Sequence, residues 1–365
     1  MKIAYDHQIF SAHKFGGVSR YFVELIKHIN QLKKKNFTKI IAPVHQNFYL
    51  TENIKNLYFK GFKLPNIKGS AKICNLINSF LSPFLLKFYE PDVIHKTYYE
   101  LEKFNNAHTK KIITVYDMIH ELFPKNFSNK DKTAEIKKIA VAKADHIICI
   151  SKNTQKDLVN ILGVDIKKTS VVHLGLTLMS QEKKYFNKNH KPFLLYVGSR
   201  CGYKNFSRFI EAYANSNQVK KNFDIVAFGG GSFVLDEIKK FNNLKVSNIK
   251  QVNGDDDKLA SYYQNASLFI YPSLYEGFGL PLLEAMNFGC PVACSNTSSI
   301  PEVAGNAAIF FDPYSVKSIS KSIETILLNN KMNKLLIARG LKRAKKFSWK
   351  KCAEETYKVY KKILK

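Results

Sequence analysis

At 365 residues the chain exceeds one ordinary hydrophobic core, so two domains of about 150–180 residues are expected. Hydrophobic residues make up 45%, enough to fill packed interiors, which excludes a disordered chain. Fifty-seven Lys and Arg against 29 Asp and Glu give a net charge of +28, which calls for an anionic partner: a phosphorylated substrate, an acidic lipid surface or a nucleic acid.

KIAYD (2–6) reads as the first strand, with no basic-then-apolar leader ahead of it. A loop with Gly16 and Gly17 follows, then an amphipathic helix over 18–30. Residues 53–89 hold six lysines, no acid, and apolar clusters such as INSFLSPFLLKFY. That pattern fits either an interfacial membrane contact or a core-facing helix with a lysine-rich outer side. DVIHKT (92–97), KIITVYD (111–117), HIICIS (146–151) and SVVHLG (170–175) read as further strands, with helices near 131–143 and 152–162. The polar, aperiodic stretch TLMSQEKKYFNKNHK (177–191) reads as a linker, dividing the chain into domains 1–178 and 192–346 with 179–191 between them.

A second alternating series begins at once. FLLYVG (193–198) is a strand, 205–216 a helix, FDIVAFG (223–229) a strand ending in the glycines 229–231, and KVSNIKQV (245–252) another strand. DDDKLASYYQNA (255–266) is a helix, SLFIYP (267–272), PVACS (291–295) and AIFFDP (308–313) are strands, and IPEVAG (300–305) is a short helix. Helices over 315–329, 331–345 and 349–365 complete the chain. Strands alternating with helices predict an α/β fold of two doubly wound parallel sheets, with ligands in a cleft at the carboxyl ends of the strands. The run of about 18 apolar residues that a membrane span needs is missing. The six cysteines (Cys74, Cys149, Cys201, Cys290, Cys294, Cys352) form no C-x2-C pair and fall largely in apolar runs, so a reducing compartment and no zinc site are expected. The protein is expected in the cytoplasm, soluble or peripheral on a membrane face.

The most informative stretch is FIYPSLYEGFGLPLLEAMNFGCPVAC (269–294), a strand running through a glycine turn into a helix. Glu276 and Glu284 flank the helix start with seven residues between them. Gly277 and Gly279 allow backbone to approach a ligand, and Pro281 suits a first helical turn. The free N–H groups of that turn form an anion site, and Glu284 can accept hydrogen bonds from a diol. Together these suit a nucleoside diphosphate, with pyrophosphate at the helix end and ribose on the glutamate. A glutamate near a helix start is otherwise an ordinary charge–dipole pair.

Four more segments bear on chemistry. In VGSRCGYKNF (197–206), Arg200 and Lys204 follow a strand and can reach a pyrophosphate, or else serve as surface charges. The acids at 255–257 contain Asp-x-Asp, but directly before an amphipathic helix they read as a cap and not a metal site. The glycines at 229–231 make either a tight turn beneath a nucleotide base or a plain strand-to-helix turn. In TVYDMIHELFP (114–124), Asp117 and His120 can meet a sugar hydroxyl or serve as a base, or be a cap and a partly buried imidazole; His95 is a similar candidate, equally explained as a core histidine.

FGGVSRYFVEL, TVYDMIHELFP, ADHIICISKNTQKDL, VVHLGL, LYVGSRCGYKNF, the Glu276–Glu284 motif, SSIPEVAGNAAIFFDP and FSWKKCAEETYKVY resemble, over nearly the whole chain, the retaining GT-B glycosyltransferases of family 4, bacterial mannosyltransferases of surface polysaccharide assembly among them. The resemblance implies an acceptor domain over 1–178, a nucleotide-sugar domain over 192–346, and a last helix (347–365) that returns to the first. It gives Glu276 the hydroxyls of the transferred sugar and Glu284 the ribose, with backbone of Gly277, Phe278, Gly279 and Leu280 lining sugar and phosphate. Arg200 and Lys204 would clamp the diphosphate, Gly16 and Gly17 would let the substrates approach, and Val252 backbone would meet the base, where the glycine turn at Gly229 is also a candidate. Asp117 would join the catalytic set, with Tyr116, His120 and Arg20 on the acceptor. The implied reaction is metal-independent hexose transfer, mannose first, from a nucleotide diphosphate sugar to a hydroxyl in lipopolysaccharide, O-antigen or capsule synthesis. No cofactor and no nucleic acid is expected, and an anionic membrane surface is a possible partner. Two rivals stay open: a basic nucleic-acid-binding protein, and another nucleotide-sugar enzyme such as an epimerase.

Overall fold

The structure, a computed structural model, describes residues 1–33, 38–50, 59–65, 67, 69–100, 106–177 and 191–365. Apart from Lys191, the expected linker 179–191 lies outside the described residues, as do parts of the lysine-rich stretch 53–89. The chain forms two compact units. The first comprises Met1–Leu122, Phe127–Gly175 and Ser348–Lys365; the second comprises Phe123–Asn126 and Leu176–Phe347.

The first unit holds strands β1 (Ile3–Tyr5), β2 (Thr38–Ile40), β3 (Val44–His45), β4 (Phe62–Lys63), β5 (Val93–Lys96), β6 (Lys110–Val115), β7 (His146–Cys149) and β8 (Thr169–Val171). Six of them make a parallel sheet in the order β2-β1-β5-β6-β7-β8, and β3 and β4 pair as a separate short parallel ribbon. In the second unit β9 (Phe193–Val197), β10 (Asp224–Phe228), β11 (Ile249–Val252), β12 (Leu268–Tyr271), β13 (Val292–Ser295) and β14 (Ile309–Phe311) form a parallel sheet in the order β11-β10-β9-β12-β13-β14. Strands such as FLLYV and LFIY are apolar at every position because helices cover both faces of a parallel sheet. Leu194, Tyr196, Phe209, Ile225, Leu268, Ile270 and Ile323 pack in its core, each fully buried large side chain contributing about 1.5–3 kcal/mol.

Each sheet has one place where the chain reverses its direction of growth: between β1 and β5 in the first, between β9 and β12 in the second. The loops leaving two such strands diverge and leave room for a ligand at their carboxyl ends. Loops after β9 and β12 carry Lys204 and Glu276 respectively.

Most predicted elements are found within a residue or two of their expected limits. The expected cap before the helix Asp256–Asn265 is Asp255, whose side chain accepts the Lys258 N–H at 2.9 Å. Elements beyond the prediction are short, among them the helices Gln8–Ala12, Ile119–Leu122, Asn217–Asn222 and Leu235–Asn243, and strands β2, β3 and β4. Gln8–Ala12 stands between the first strand and Gly16, where a loop is expected; Gly16 and Gly17 lie at the start of the helix Gly17–Lys33.

The last helix, Trp349–Ile363, packs on the helix Gly17–Lys33 within the first unit. A buried polar network fixes it there. The Tyr360 hydroxyl lies 3.0 Å from that of Tyr5 and 2.6 Å from His95 Nδ1, and His95 Nε2 lies 2.8 Å from Thr114 Oγ1. His95 is completely buried, so it is a core residue, and burial pushes its imidazole down to about 3. Burial likewise pushes His45 down to about 4.

Both histidines are neutral in the folded first unit, while an unfolded chain takes up protons below about pH 6.5. Stability should therefore fall as pH drops from about 6.5 towards the folded values, by up to about 1.4 kcal/mol per pH unit for each group. Urea unfolding followed between pH 7 and 4.5 should show this slope, and His95→Gln should flatten it while lowering stability at pH 7. A slope unchanged by the substitution would contradict the account.

Candidate active site

The turn Gly202–Lys204 and the helix Phe206–Ala214 follow β9, with Asn205 between them in the left-handed conformation at φ 59°. Asn205 is buried and its amide donates to the carbonyls of Pro272 (3.0 Å) and Pro313 (2.8 Å). The Leu274 N–H donates to the Tyr203 carbonyl at 2.7 Å. The Pro272 and Leu274 bonds stitch the loop after β9 to the loop after β12, the Pro313 bond ties it to the loop after β14, and Lys204 Nζ lies 2.7 Å from Glu276 Oε1.

Glu276 is 7% exposed and needs that partner, because an unpaired buried carboxylate is costly. Tyr271, at the end of β12, adds a hydrogen bond to it; burial and the Glu276 charge hold the Tyr271 phenol well above its ordinary range. Burial pushes the Lys204 ammonium down, but the Glu276 charge and their hydrogen bond outweigh it, and the net shift is upward. Lys204 is therefore a firm cation throughout the neutral range. The backbone of the motif is pinned from below. The Glu276 N–H donates to Ser298 Oγ at 3.0 Å, and Ser299 Oγ, which donates onward, lies 2.8 Å from the Glu276 carbonyl and 2.9 Å from that of Phe278.

The helix Leu280–Asn287 starts at Gly279, which has φ +107° and no side-chain cap, with Pro281 in the first turn. A side chain at Gly279 would be strained by that φ. Phe278 is buried edge-on against Phe347 at 5.8 Å between centroids, and so anchors the loop through its ring. Glu284, half-buried one turn into the helix, accepts a 3.0 Å hydrogen bond from the buried Tyr263 hydroxyl, which orients its carboxylate. Glu276, Gly277, Phe278, Gly279, Leu280, Glu284 and Lys204 thus share one segment pair within the second unit.

Arg200 does not extend that cluster. Its guanidinium is held by Glu237 (2.7 and 3.2 Å) and donates to the carbonyls of Gly229 (3.1 Å), Gly231 (3.0 Å) and Ser232 (2.9 Å). A diphosphate clamp by Arg200, as expected from the sequence, would draw on the Nη1 N–H that these bonds leave over. Arg200 fixes the turn at 229–232 through hydrogen bonds from Nε, Nη1 and Nη2 to oxygens of the protein. That turn carries three consecutive glycines with positive φ, at 83°, 74° and 76°. The Gly229 N–H donates to the Val252 carbonyl at 2.8 Å, tying the ends of β10 and β11 together.

In the first unit the Asp117 carboxylate accepts the Ile119 N–H at 3.0 Å, a local cap, and its carbonyl accepts Lys137 Nζ at 2.9 Å. His120 stacks on Phe127 (4.0 Å between centroids) with Nε2 3.7 Å from Asp131. Tyr116 is buried and donates to the Thr97 carbonyl at 3.3 Å. Arg20 donates to the Tyr49 hydroxyl at 2.9 Å and lies over its ring. Gly16 and Gly17 are exposed, and a Cβ at either would meet open space.

Sequence reasoning missed Asn205, Tyr263, Tyr271, Ser298 and Ser299 as parts of this site. A buried Tyr or Ser in a strand or turn has no spacing signature, and its role arises only when the loops meet.

A lysine in the loop after one strand is thus paired with a glutamate in the loop after its neighbour, beside an uncapped helix start. The family model for glycosyl transferases group 1 matches residues 180–343, and that for glycosyltransferase family 4 matches residues 15–178. The chain belongs to the family 4, group 1 glycosyltransferases and has the GT-B fold. Over 106 residues, 29% of the chain, it is 48% identical to O-antigen chain mannosyltransferase B of Escherichia coli, and that match spans 28% of the relative's length. Sucrose-phosphate synthase from Thermosynechococcus elongatus has a similar fold, with a TM-score of 0.73 and 17% identity over 99% of this chain and 98% of that one. So has Anabaena HepE in complex with UDP-glucose, with a TM-score of 0.69 and 14% identity over 99% of this chain and 100% of that one.

The glycine turn offers a direct check. A Cβ on Gly230 would lie 2.7 Å from Arg200 Nη1 and 2.8 Å from the Gly198 carbonyl, at a φ of +74°. Gly230→Ala should cost about 1–3 kcal/mol of stability in urea unfolding. A variant as stable as the parent would show that Arg200 does not hold this turn.

Proposed function

We propose that the protein is a retaining hexosyltransferase that moves a hexose, mannose first, from a nucleotide diphosphate sugar to a hydroxyl acceptor in lipopolysaccharide, O-antigen or capsule synthesis. The observation that carries this reading is the Lys204–Glu276 pair at the reversal point of the second sheet, beside the uncapped start of the helix Leu280–Asn287. Family membership supports the reaction class. The E. coli mannosyltransferase supports the sugar, and the UDP-glucose complex of HepE supports the donor class.

On this reading Glu276 accepts hydrogen bonds from hydroxyls of the transferred sugar and Glu284 from the ribose. The backbone of Gly277–Leu280 lines sugar and phosphate, and the turn at Gly229 with the end of β11 at Val252 flanks the base. As the glycosidic bond breaks, negative charge builds on the departing diphosphate. Lys204 and the N–H groups of the helix start neutralise it, and no metal is invoked. The acceptor hydroxyl attacks from the face the diphosphate leaves, and the leaving phosphate takes its proton. That route needs no carboxylate nucleophile. Within the first unit, Asp117, His120, Arg20 and Tyr116 are the candidates for acceptor contacts, with Gly16 and Gly17 allowing a substrate to approach the backbone.

Losing one preorganised group of this kind costs about 3–4 kcal/mol of barrier, roughly 100- to 1000-fold in rate. Glu276→Ala and Lys204→Ala should each reduce turnover by that order. Glu276→Ala should retain its thermal transition, whereas Lys204→Ala leaves a buried carboxylate unpaired and should lower it, so its turnover is compared below that transition. Assays should use a panel of UDP-, GDP- and ADP-sugars, scoring thermal shift and nucleotide release. Near-normal turnover in Glu276→Ala, or no response to any sugar nucleotide, would overturn the proposal.

A further inference from the structure

The helix Ser70–Tyr89 in the first unit is built the wrong way round for a soluble surface. Its buried positions are Ser70, Cys74, Asn78, Ser82 and Leu86, spaced by four. They hold the helix to the protein by polar contacts as much as by packing. The Asn78 amide donates to the Val44 carbonyl (2.6 Å) and to Ser11 Oγ (2.8 Å), its carbonyl accepts the Val44 N–H (3.0 Å), and Ser70 donates to Gln46 (2.8 Å). The outward face carries the large apolar side chains: Leu76 is 75% exposed, Phe80 82%, Phe84 66% and Phe88 77%. These four also recur every fourth residue, so they form one continuous stripe. Ile73, Leu81 and Leu85 widen it.

Apolar residues scattered singly over a surface are ordinary, but a continuous stripe on one helix marks something that covers it. Charge identifies the covering partner. The helix has no acidic residue and carries exposed lysines at 72 and 87. Exposed Lys60 and Lys63 lie in the chain just ahead of it, Lys63 and the 83% exposed Phe62 forming β4. A second copy of the chain would bring these cations against their own kind on molecules of net charge +28. A surface that is apolar below and anionic at its headgroups matches both features, with lysine stems lying along the apolar layer and ammonium groups reaching the phosphates.

We propose that the outer face of the helix Ser70–Tyr89 docks on an anionic lipid bilayer, lying in the plane of the interface with Leu76, Phe80, Phe84 and Phe88 inserted among the acyl chains. Among the described residues no helix is long and apolar enough to cross a membrane, so this attachment is peripheral. It stands apart from the donor chemistry, since none of these residues belongs to the Lys204–Glu276 site.

The full chain should cosediment with vesicles of phosphatidylcholine mixed with phosphatidylglycerol and much less with phosphatidylcholine alone. Combining Phe80→Ser, Phe84→Ser and Phe88→Ser should weaken binding to the mixed vesicles by on the order of tenfold or more. These residues are exposed, so the variant should keep its thermal transition and its response to sugar nucleotides. That response separates loss of membrane docking from any failure of the proposed transferase reading. Lys72→Glu with Lys87→Glu should reduce the preference for anionic vesicles severalfold. Equal binding to both vesicle types, unchanged binding by the triple serine variant, or a parent dimer that the serine substitutions dissociate in the absence of lipid binding would each overturn the proposal.

Discussion

The second unit is organised around one ion pair. Glu276 lies in a loop that covers it almost completely, and a carboxylate there must be neutralised by something close. Lys204 supplies the charge at 2.7 Å, which obliges the loops after β9 and β12 to run side by side. That proximity follows from strand order. β9 and β12 are neighbours only because the sheet grows outward through β10 and β11, returns to the centre, and then grows the other way. The Leu274–Tyr203 backbone bond, the two Asn205 bonds and the two serines beneath the motif then hold the pair in place. Topology sets the meeting point, and local hydrogen bonds set its accuracy.

Much of this was legible in the residues. Glu276 could be singled out because strand, glycine turn, proline and helix fall in one uninterrupted run, each with its own local signal. The capping role of Asp255 was legible for the same reason, since a cap is decided by the next three residues. Arg200 was not. An arginine after a strand looks the same whether it faces a ligand or a glutamate 37 residues away, and its partner Glu237 sits on a helix the sequence pattern did not reveal. His95 left two readings open, and only the convergence of Tyr5, Thr114 and Tyr360 from distant segments resolves it as a core residue. The short strands β2, β3 and β4 are two or three residues long, too brief for any alternation to register.

The helix Ser70–Tyr89 shows a different limit. Its composition offered a core-facing helix or an interfacial one, and both predict apolar residues at helical spacing. What separates them is which stripe faces inward, and that depends on partners elsewhere in the chain. Asn78 is the deciding residue. Its amide satisfies both backbone groups of Val44 in a two-residue strand that has few other ladder bonds. Turning the phenylalanines inward would remove that cap and leave buried backbone groups unpaired, a cost a short ribbon has little means to offset. The polar face is thus fixed inward by β3, and the aromatic face is outward as a consequence.

The commitment of Arg200 bears on how the proposed chemistry would proceed. A guanidinium gripped by a glutamate and three carbonyls is rigid, and moving it to a ligand would release the turn that holds three left-handed glycines. An ammonium differs, because it is a compact charge on a flexible stem with three rotatable donors. Lys204 can keep contact with Glu276 through one proton while turning another toward a phosphate oxygen. Its raised affinity for protons keeps it charged during that exchange. The carboxylate in turn retains lone pairs for sugar hydroxyls while still bonded to the lysine. The resting ion pair therefore need not be broken before a donor enters. It can open into a chain of contacts running from sugar to glutamate to lysine to phosphate, with the departing charge at the end where the cation already stands.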